Sequence, residues 1–364
     1  MSNLNAAVSA RPAPAEAPPV APALSGRASA RFRVDARLLP LAVTLALFIL
    51  MFGAGSLLFD GFFSLQVFLN LFVDNAFLVI TAIGMTFVIL SGGIDLSVGS
   101  VIALTTMLSA TLLERHGVSP AAVIALALLL GASLGFVQGL VIQTFQIQPF
   151  IVTLAGMFLA RGLCYLISID SIAITNPFYT KVSAVRFPLP FDTSVSMNVV
   201  IALVVLAVAV YLAHYTRFGR TVYAIGGSEQ SALLMGLPVA RTKVLIYTLS
   251  GFCSALAGIA FTFYMLSGYG LHAMGMEMDA IAAAVVGGTL LTGGSGYVIG
   301  TLFGVLIFGT IQTLIMFQGS LSSWWTKIVI GLLTLVFCLF QKVFERSSAR
   351  KVYSTRPTPA ARAA

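Results

Sequence analysis

The stretch GMTFVILSGGIDLSVGSVIA, Gly84 to Ala103, decides how this chain is read. A mostly apolar run, Met85 to Leu90, reaches Ser91-Gly92-Gly93. A polar step follows, Ile94-Asp95-Leu96-Ser97, and the apolar pattern resumes through Gly99 to Ala103. Paired glycines permit backbone angles that other residues avoid, so the stretch reads as a turn between two membrane helices. Asp95 is placed to accept hydrogen bonds from the free N–H groups that open the second helix. Lining a transport pathway is the other role open to it.

Composition sets the setting. The 364 residues are 59% hydrophobic and only 9% charged, with a mean hydropathy of +1.00. Soluble domains carry about 25% charged residues, so an all-α polytopic membrane protein is expected. The net charge of +8 does not point to nucleic acid, because the basic residues gather at the termini and in one loop. Cytoplasmic flanks of membrane helices show that distribution. Cys164, Cys253 and Cys338 each lie in an apolar run, with no CxxC pair, and read as small core residues. His116, His214 and His272 have no metal-ligand spacing.

Residues 1–36, rich in Ala, Pro and Arg and without an apolar h-region, read as a disordered cytoplasmic arm. Residues 37–346 are the membrane domain and 347–364 a disordered basic tail. With about 20 apolar residues per crossing, the spans are Leu39–Phe59, Asn70–Leu90, Leu96–Leu113, Pro120–Ile142 and Pro149–Ile167. Met197–Ala213, Val244–Leu266, Asp279 to Thr292-Gly293-Gly294, Tyr297–Phe317 and a last span ending near Phe340 follow. The eighth is short for a full crossing, which suggests a broken or tilted helix. Arg27, Arg31, Arg33 and Arg37 before the first span, and Lys342, Arg346, Arg350 and Lys351 after the last, put both termini in the cytoplasm. The loop Ser168–Val195, with Pro177, Pro188 and Pro190, is expected to be periplasmic and irregular. Gly131, Gly135 and Gly139 form a small-residue stripe that lets another helix approach closely.

Leu90-Ser91-Gly92-Gly93 with Gly99-Ser100 is echoed by Leu291-Thr292-Gly293-Gly294 with Gly300-Thr301 at the same spacing. An internal repeat and two corners needing the same small residues both account for it. The related spans cross in the same direction, so the echo alone does not indicate an inverted repeat.

The loop after span six reads RFGRTVYAIGGSEQSALLMGLPVARTK, Arg217 to Lys243. Gly226-Gly227 allow a sharp turn, and Ser228 can cap a helix from about Glu229 to Met235. Gly236 can end that helix and Pro238 prevents its continuation. About two turns are too few for stability alone, so the helix needs a partner surface. Ala232 and Gly236 would give it a small docking face. Of the ionisable groups near the spans, Arg161 can pair with a carboxylate or with backbone carbonyls, or meet a substrate. Glu277 and Asp279 stand at the expected outer end of span eight. Asn75, Thr86, Ser91, Gln138 and Thr153 supply neutral donors and acceptors, suited to helix–helix hydrogen bonds and to an uncharged polar ligand.

GMTFVILSGGIDLSVGS resembles the signature of permease subunits of bacterial ABC sugar importers in the ribose, xylose and galactose branch. The similarity runs from about Leu39 to Leu339 and includes NLFVDNAFL (Asn70–Leu78), TLAGMFLARG (Thr153–Gly162), RFGRTVYAIGG (Arg217–Gly227) and LSSWWTKI (Leu321–Ile328). It is greatest to permeases assigned to galactofuranose. The resemblance implies an ABC importer permease fold in the inner membrane. It also implies partners: an ABC ATPase subunit, a periplasmic sugar-binding protein and a second permease subunit. A different second chain is favoured over an identical one. It makes the loop helix a coupling helix docked in the ATPase, with Arg217, Gly226, Gly227, Ser228, Ala232 and Gly236 as the residues of the coupling loop. Signature and pathway candidates are Asn75, Thr86, Ser91, Gly92, Gly93, Asp95, Ser97 and Arg161. This chain has no G-x-x-x-x-G-K-[ST] phosphate loop and is expected to bind no cofactor, so ATP-Mg belongs to the partner ATPase. An ion-coupled secondary sugar carrier is the rival reading, and a non-transporting membrane partner a second one.

Overall fold

The computed structural model describes residues 39–322 and 324–354, so the expected arm over 1–36 lies outside it, as do residues 355–364. In chain order the elements are α1 (Leu39–Leu58), α2 (Leu65–Leu90), α3 (Val98–Glu114), α4 (Pro120–Phe145), α5 (Pro149–Ile167) and β1 (Ile172–Ala173). Next come α6 (Pro177–Ala184), β2 (Arg186–Leu189), β3 (Thr193–Ser196), α7 (Met197–Tyr215), α8 (Arg217–Gly227) and α9 (Glu229–Leu234). The chain continues with α10 (Val239–Met265), β4 (Ser267–Gly268), α11 (Met276–Val286), α12 (Val298–Gln318) and α13 (Trp324–Ser354). Among the described residues, eight helices are long and apolar enough to cross a membrane: α1, α2, α4, α5, α7, α10, α12 and α13. The 17-residue α3 and the 11-residue α11 occupy the places of the third and eighth spans.

Local chemistry sets the boundaries. Pro120 and Pro149 open α4 and α5 at the first helical turn, where their missing N–H costs nothing. Ser64 caps α2 by accepting from Val67 N at 3.1 Å, which starts that helix five residues before the expected Asn70. The expected irregular loop over 168–195 is instead ordered. Asn176 caps α6, and β2 pairs with β3 in a hairpin, Arg186 opposite Ser196. Strand β1 pairs with β4, Ile172 opposite Gly268. At its other end, α13 continues to Ser354, past the expected limit of the membrane domain at residue 346.

Helix α10 is the centre of the bundle. The glycine stripe of α4 lies directly on it. A Cβ on Gly139 would stand 2.9 Å from Val244 Cα, and one on Gly131 or Gly135 would overlap Ala255 or the backbone of Tyr247. Close backbone approach at small residues is how membrane helices gain packing without a hydrophobic driving force. Helices α7 and α10 meet through α8 and α9, which defines one end of the bundle. The β2–β3 hairpin stands before α7 at the opposite end.

Candidate functional site

Two spans are broken, and their breaks meet inside the bundle. The chain between α2 and α3, residues 91–97, is not helical. Within it Asp95, 1% exposed, uses both oxygens. Oδ1 accepts from Ser97 N at 2.9 Å and Ser97 Oγ at 2.7 Å, and Oδ2 accepts from Ser250 Oγ at 2.7 Å. Ser97 Oγ also lies 3.2 Å from the Gln138 side-chain amide. Ser250 is the twelfth residue of α10, so at 1.5 Å per residue it lies about 17 Å from that helix's start and near mid-depth. Asp95 therefore fixes Ser97, the residue just before α3, and also ties the unwound segment to α10.

Helix α11 starts at the same depth. A Cβ on Gly99, in the first turn of α3, would overlap the Glu277 carboxylate and lie 2.7 Å from Ala273 O. Helix α3 runs from this point to the hairpin end, and α11 runs from it to the α8–α9 end. Each covers only part of a span, and an unwound segment completes it. Two positive helix ends thus converge, with Asp95 and Glu277 beside them, a favourable charge arrangement. Glu277 was expected at the outer end of span eight. The structure corrects this, because residues 266–275 descend along α3 in non-helical form before α11 begins. Glu277 Oε2 has no hydrogen-bond partner among the described residues. Arg161 on α5 pins the descending segment, donating through one guanidinium nitrogen to Gly270 O at 2.6 Å and His272 O at 2.9 Å. Asp279 pairs with Lys327 of α13 at 2.5 Å.

The signature turn and its echo touch. Gly294 N donates to Leu90 O at 2.9 Å, and the hydroxyls of Thr86 and Thr301 lie 2.7 Å apart. Gly92 takes a φ of +81°, and Gly293 and Gly294 take +84° and +73°, conformations that cost an L side chain dearly. Gly93 is needed for space instead, since a Cβ there would overlap the Tyr247 hydroxyl. Ser91 donates to Val88 O at 2.7 Å and closes α2. Asn75 donates to Leu71 O at 2.9 Å, and a Cβ on Gly309 would reach its amide at 2.6 Å. These neutral polar groups serve the packing of one chain.

The loop after α7 differs from expectation in two respects. Arg217 to Gly227 form a helix, α8, capped by Thr216, which accepts from Gly219 N at 3.2 Å. Gly226 and Gly227 are its last turn and make no sharp turn; the direction changes at Ser228, whose φ is −166°. Ala232 is fully buried against Ile225 and Val239 and offers no docking face. It anchors α9 to α8 and α10. The rest follows expectation. Ser228 Oγ accepts from Ser231 N at 3.2 Å. Gly236, at φ +73°, ends the helix with bonds from Gly236 N to Leu233 O and from Leu237 N to Ala232 O, a Schellman closure. The outward face carries Leu233, Leu234 and Met235, 55%, 86% and 67% exposed.

The residues singled out in sequence thus form two groups. Ser91, Gly92, Gly93, Asp95, Ser97 and Thr86 gather around the first broken span. Gly226 and Gly227 abut them, while Ser228 and Gly236 bound α9 and Arg217 opens α8. Arg161 and Asn75 stand apart on α5 and α2. Sequence reasoning passed over Ser250, Tyr223 and the depth of Glu277. The serine signal is weak, one hydroxyl among several in α10.

The chain matches the family described as branched-chain amino acid transport system / permease component over residues 67–338. It is 49% identical over 306 residues to the inner membrane ABC transporter permease protein YjfF of Escherichia coli, covering 84% of this chain and 92% of that protein. It is 42% identical to the fructose import permease protein FruG of Bifidobacterium longum, covering 85% and 93% of the two chains. The ribose import permease protein RbsC of Bacillus subtilis is 40% identical, with 86% and 95% covered. No solved structure matches.

Proposed function

The chain belongs to the family of branched-chain amino acid transport system permease components, and from that membership together with its relatives' names we propose that it serves an ATP-driven importer of a monosaccharide. It is a multi-pass transport permease subunit and not an enzyme. Galactofuranose is the favoured sugar, with ribose, xylose and galactose as alternatives. The setting is the bacterial inner membrane, with both termini and the α8–α9 end in the cytoplasm. The partners are an ABC ATPase that consumes ATP-Mg, a periplasmic sugar-binding protein and a second permease subunit, a different chain being favoured.

The observation that carries the reading is α9. It is a capped helix of six residues between two long spans, anchored by Ala232 and presenting three exposed apolar side chains. Such a face, outside the apolar bundle, is suited to a groove on another protein. Two of the three relatives support a sugar as cargo through their names, which state fructose and ribose import. Chemistry supports a neutral cargo over an amino acid. Of the charges near mid-depth, Asp95 and Arg161 spend hydrogen bonds on their own chain, and Glu277, whose Oε2 has no partner among the described residues, offers an acceptor but no cation for an amino acid's carboxylate. The broken spans are also a feature of ion-coupled carriers, but family membership favours the ATP-driven reading over that rival.

The test is uptake into proteoliposomes that hold this chain with its co-purified partners and the cognate binding protein. Labelled galactose, which carries its furanose form at equilibrium, ribose, xylose and a branched-chain amino acid are offered separately. Sugar uptake that requires ATP and survives an uncoupler is expected. Uptake that an uncoupler abolishes at constant ATP would restore the secondary carrier, and uptake of the amino acid alone would refute the sugar.

A further inference from the structure

We infer that α8 and the two glycine turns form one backbone-to-backbone joint, with Gly226 as its positioning residue, through which a displacement of α9 reaches both broken spans in the same step. This rests on the proposed reading of α9 as the ATPase contact.

Three segments far apart in sequence meet here without side chains between them. A Cβ on Gly226 would overlap both Leu90 O and Gly294 N. Those two atoms are the acceptor and donor of the hydrogen bond that links the turns. Gly226 is therefore seated on that bond. A Cβ on Gly293 would lie 2.8 Å from Gly92 N and 3.1 Å from Gly226 Cα, and one on Gly294 would lie 2.7 Å from Gly227 N. Beside the glycines, Tyr223 of α8 donates its hydroxyl to Gly296 O at 2.8 Å. The Phe218 ring stands 5.9 Å from that of Phe87 on α2.

Each end of the joint is set up for motion to pass. On one side a single residue, Ser228, separates α8 from α9. Ile225, Ala232 and Val239 lock the two helices together, and Lys243 pairs with Glu229 at 2.5 Å. On the other side residues 91–97 lead into α3, and the unwound chain from Gly287 to Tyr297 links α11 to α12. Close-packed backbone has no rotamer with which to absorb a shift, whereas unwound segments can change their dihedral angles. A push on α8 is then delivered to both turns together, because the bond that joins them is the surface α8 rests on.

The test uses the intact complex in proteoliposomes, reading labelled galactose moved per ATP hydrolysed. Gly226→Ala is expected to lower that ratio about tenfold or more, within the range that coupling residues show, while the ATPase co-purifies in normal amount and ATP hydrolysis persists. Gly53→Ala, whose Cβ would meet nothing within 4 Å, controls for the exchange itself. Tyr223→Phe adds no bulk and keeps the fold. It is expected to lower the ratio about two- to fivefold. Hydrogen exchange supplies the readout that mere packing would not move. Trapping the ATPase with vanadate should alter protection of 91–97 and 287–297 together in the unaltered chain, and Tyr223→Phe should weaken both changes. An unchanged ratio in both variants, or a protection change confined to one segment, overturns the joint. An unaltered complex that holds no ATPase, or shows no ATP-dependent change at α9, refutes the reading of α9 instead, and the joint falls with it.

Discussion

Asp95 shows how much a single side chain decides in this protein. A carboxylate buried at mid-depth is costly unless its oxygens are occupied, and three donors occupy them. Removing one donor leaves an oxygen with less support, whereas removing the acid orphans a backbone N–H and two hydroxyls. Hydrogen bonds to charged groups contribute about 1.5–3 kcal/mol each. Ser250→Ala is expected to cost about 1–2 kcal/mol and Asp95→Ala about 3 kcal/mol or more. Cys164 and Cys253 are buried, so a thiol-reactive dye reports unfolding in detergent. The melting point should fall in the order unaltered chain, Ser250→Ala, Asp95→Ala. Equal melting points would show that the carboxylate does not hold the segment. Glu114 offers a second residue-level case at the hairpin end. Its oxygens accept from Thr175 N, Thr175 Oγ1 and Asn176 N at 2.7, 2.7 and 2.9 Å, tying α3 to the start of α6. Glu114→Ala should speed proteolytic cutting within 168–196 and leave the melting point nearly unchanged.

At the scale of elements, α9 and the α4–α10 pair carry distinct expectations. Leu234 is 86% exposed, so Leu234→Arg should abolish co-purification of the ATPase while insertion and melting stay normal. Unimpaired capture would remove α9 as the docking element. Ser228→Ala loses the cap and should destabilise α9 by about 1 kcal/mol, seen as faster exchange of its amides. Gly135→Leu should disrupt the bundle, since even a Cβ there overlaps Tyr247 O, whereas Gly162→Leu has open space. The long elements were legible in sequence because apolar length and helix-end residues identify them: Pro120, Pro149, Ser228 and Gly236 each sit where their chemistry demands. The small-residue stripe on α4 was legible for the same reason. What was not legible were features that depend on a distant partner. Gly226 and Gly227 read as a turn, although their need for glycine comes from Leu90 and Gly294. Ala232 read as an outward face because its neighbours Ile225 and Val239 lie on other elements. The depth of Glu277 was hidden because apolar counting cannot distinguish a short helix from half of a broken span.

The whole molecule poses a problem that one chain does not solve. A sugar needs hydrogen-bond partners along its route, yet most polar side chains at mid-depth of this bundle are turned onto one another, Glu277 Oε2 being an acceptor there without a partner among the described residues. Asp95, Ser97, Gln138 and Ser250 form a closed set, and Thr86 meets Thr301. The cavity of about 180 Å³ between α2, α7 and α10 is lined by Ile83, Phe87, Val204, Leu212, Leu249, Cys253 and further apolar neighbours. A route through the middle of this chain would have to break its core, so the route is better supplied where this chain faces another. The expected assembly is therefore a pair of permease chains over an ATPase. Gentle extraction of a tagged chain from native membranes, followed by intact mass measurement, checks it. A complex holding one tagged chain, one different permease and ATPase supports the heterologous pair. Two tagged chains would retain the shared route and transfer the pairing to identical copies. A single tagged chain with ATPase that still imports sugar would overturn the shared route, and would require the closed polar set around Asp95 to open during each cycle.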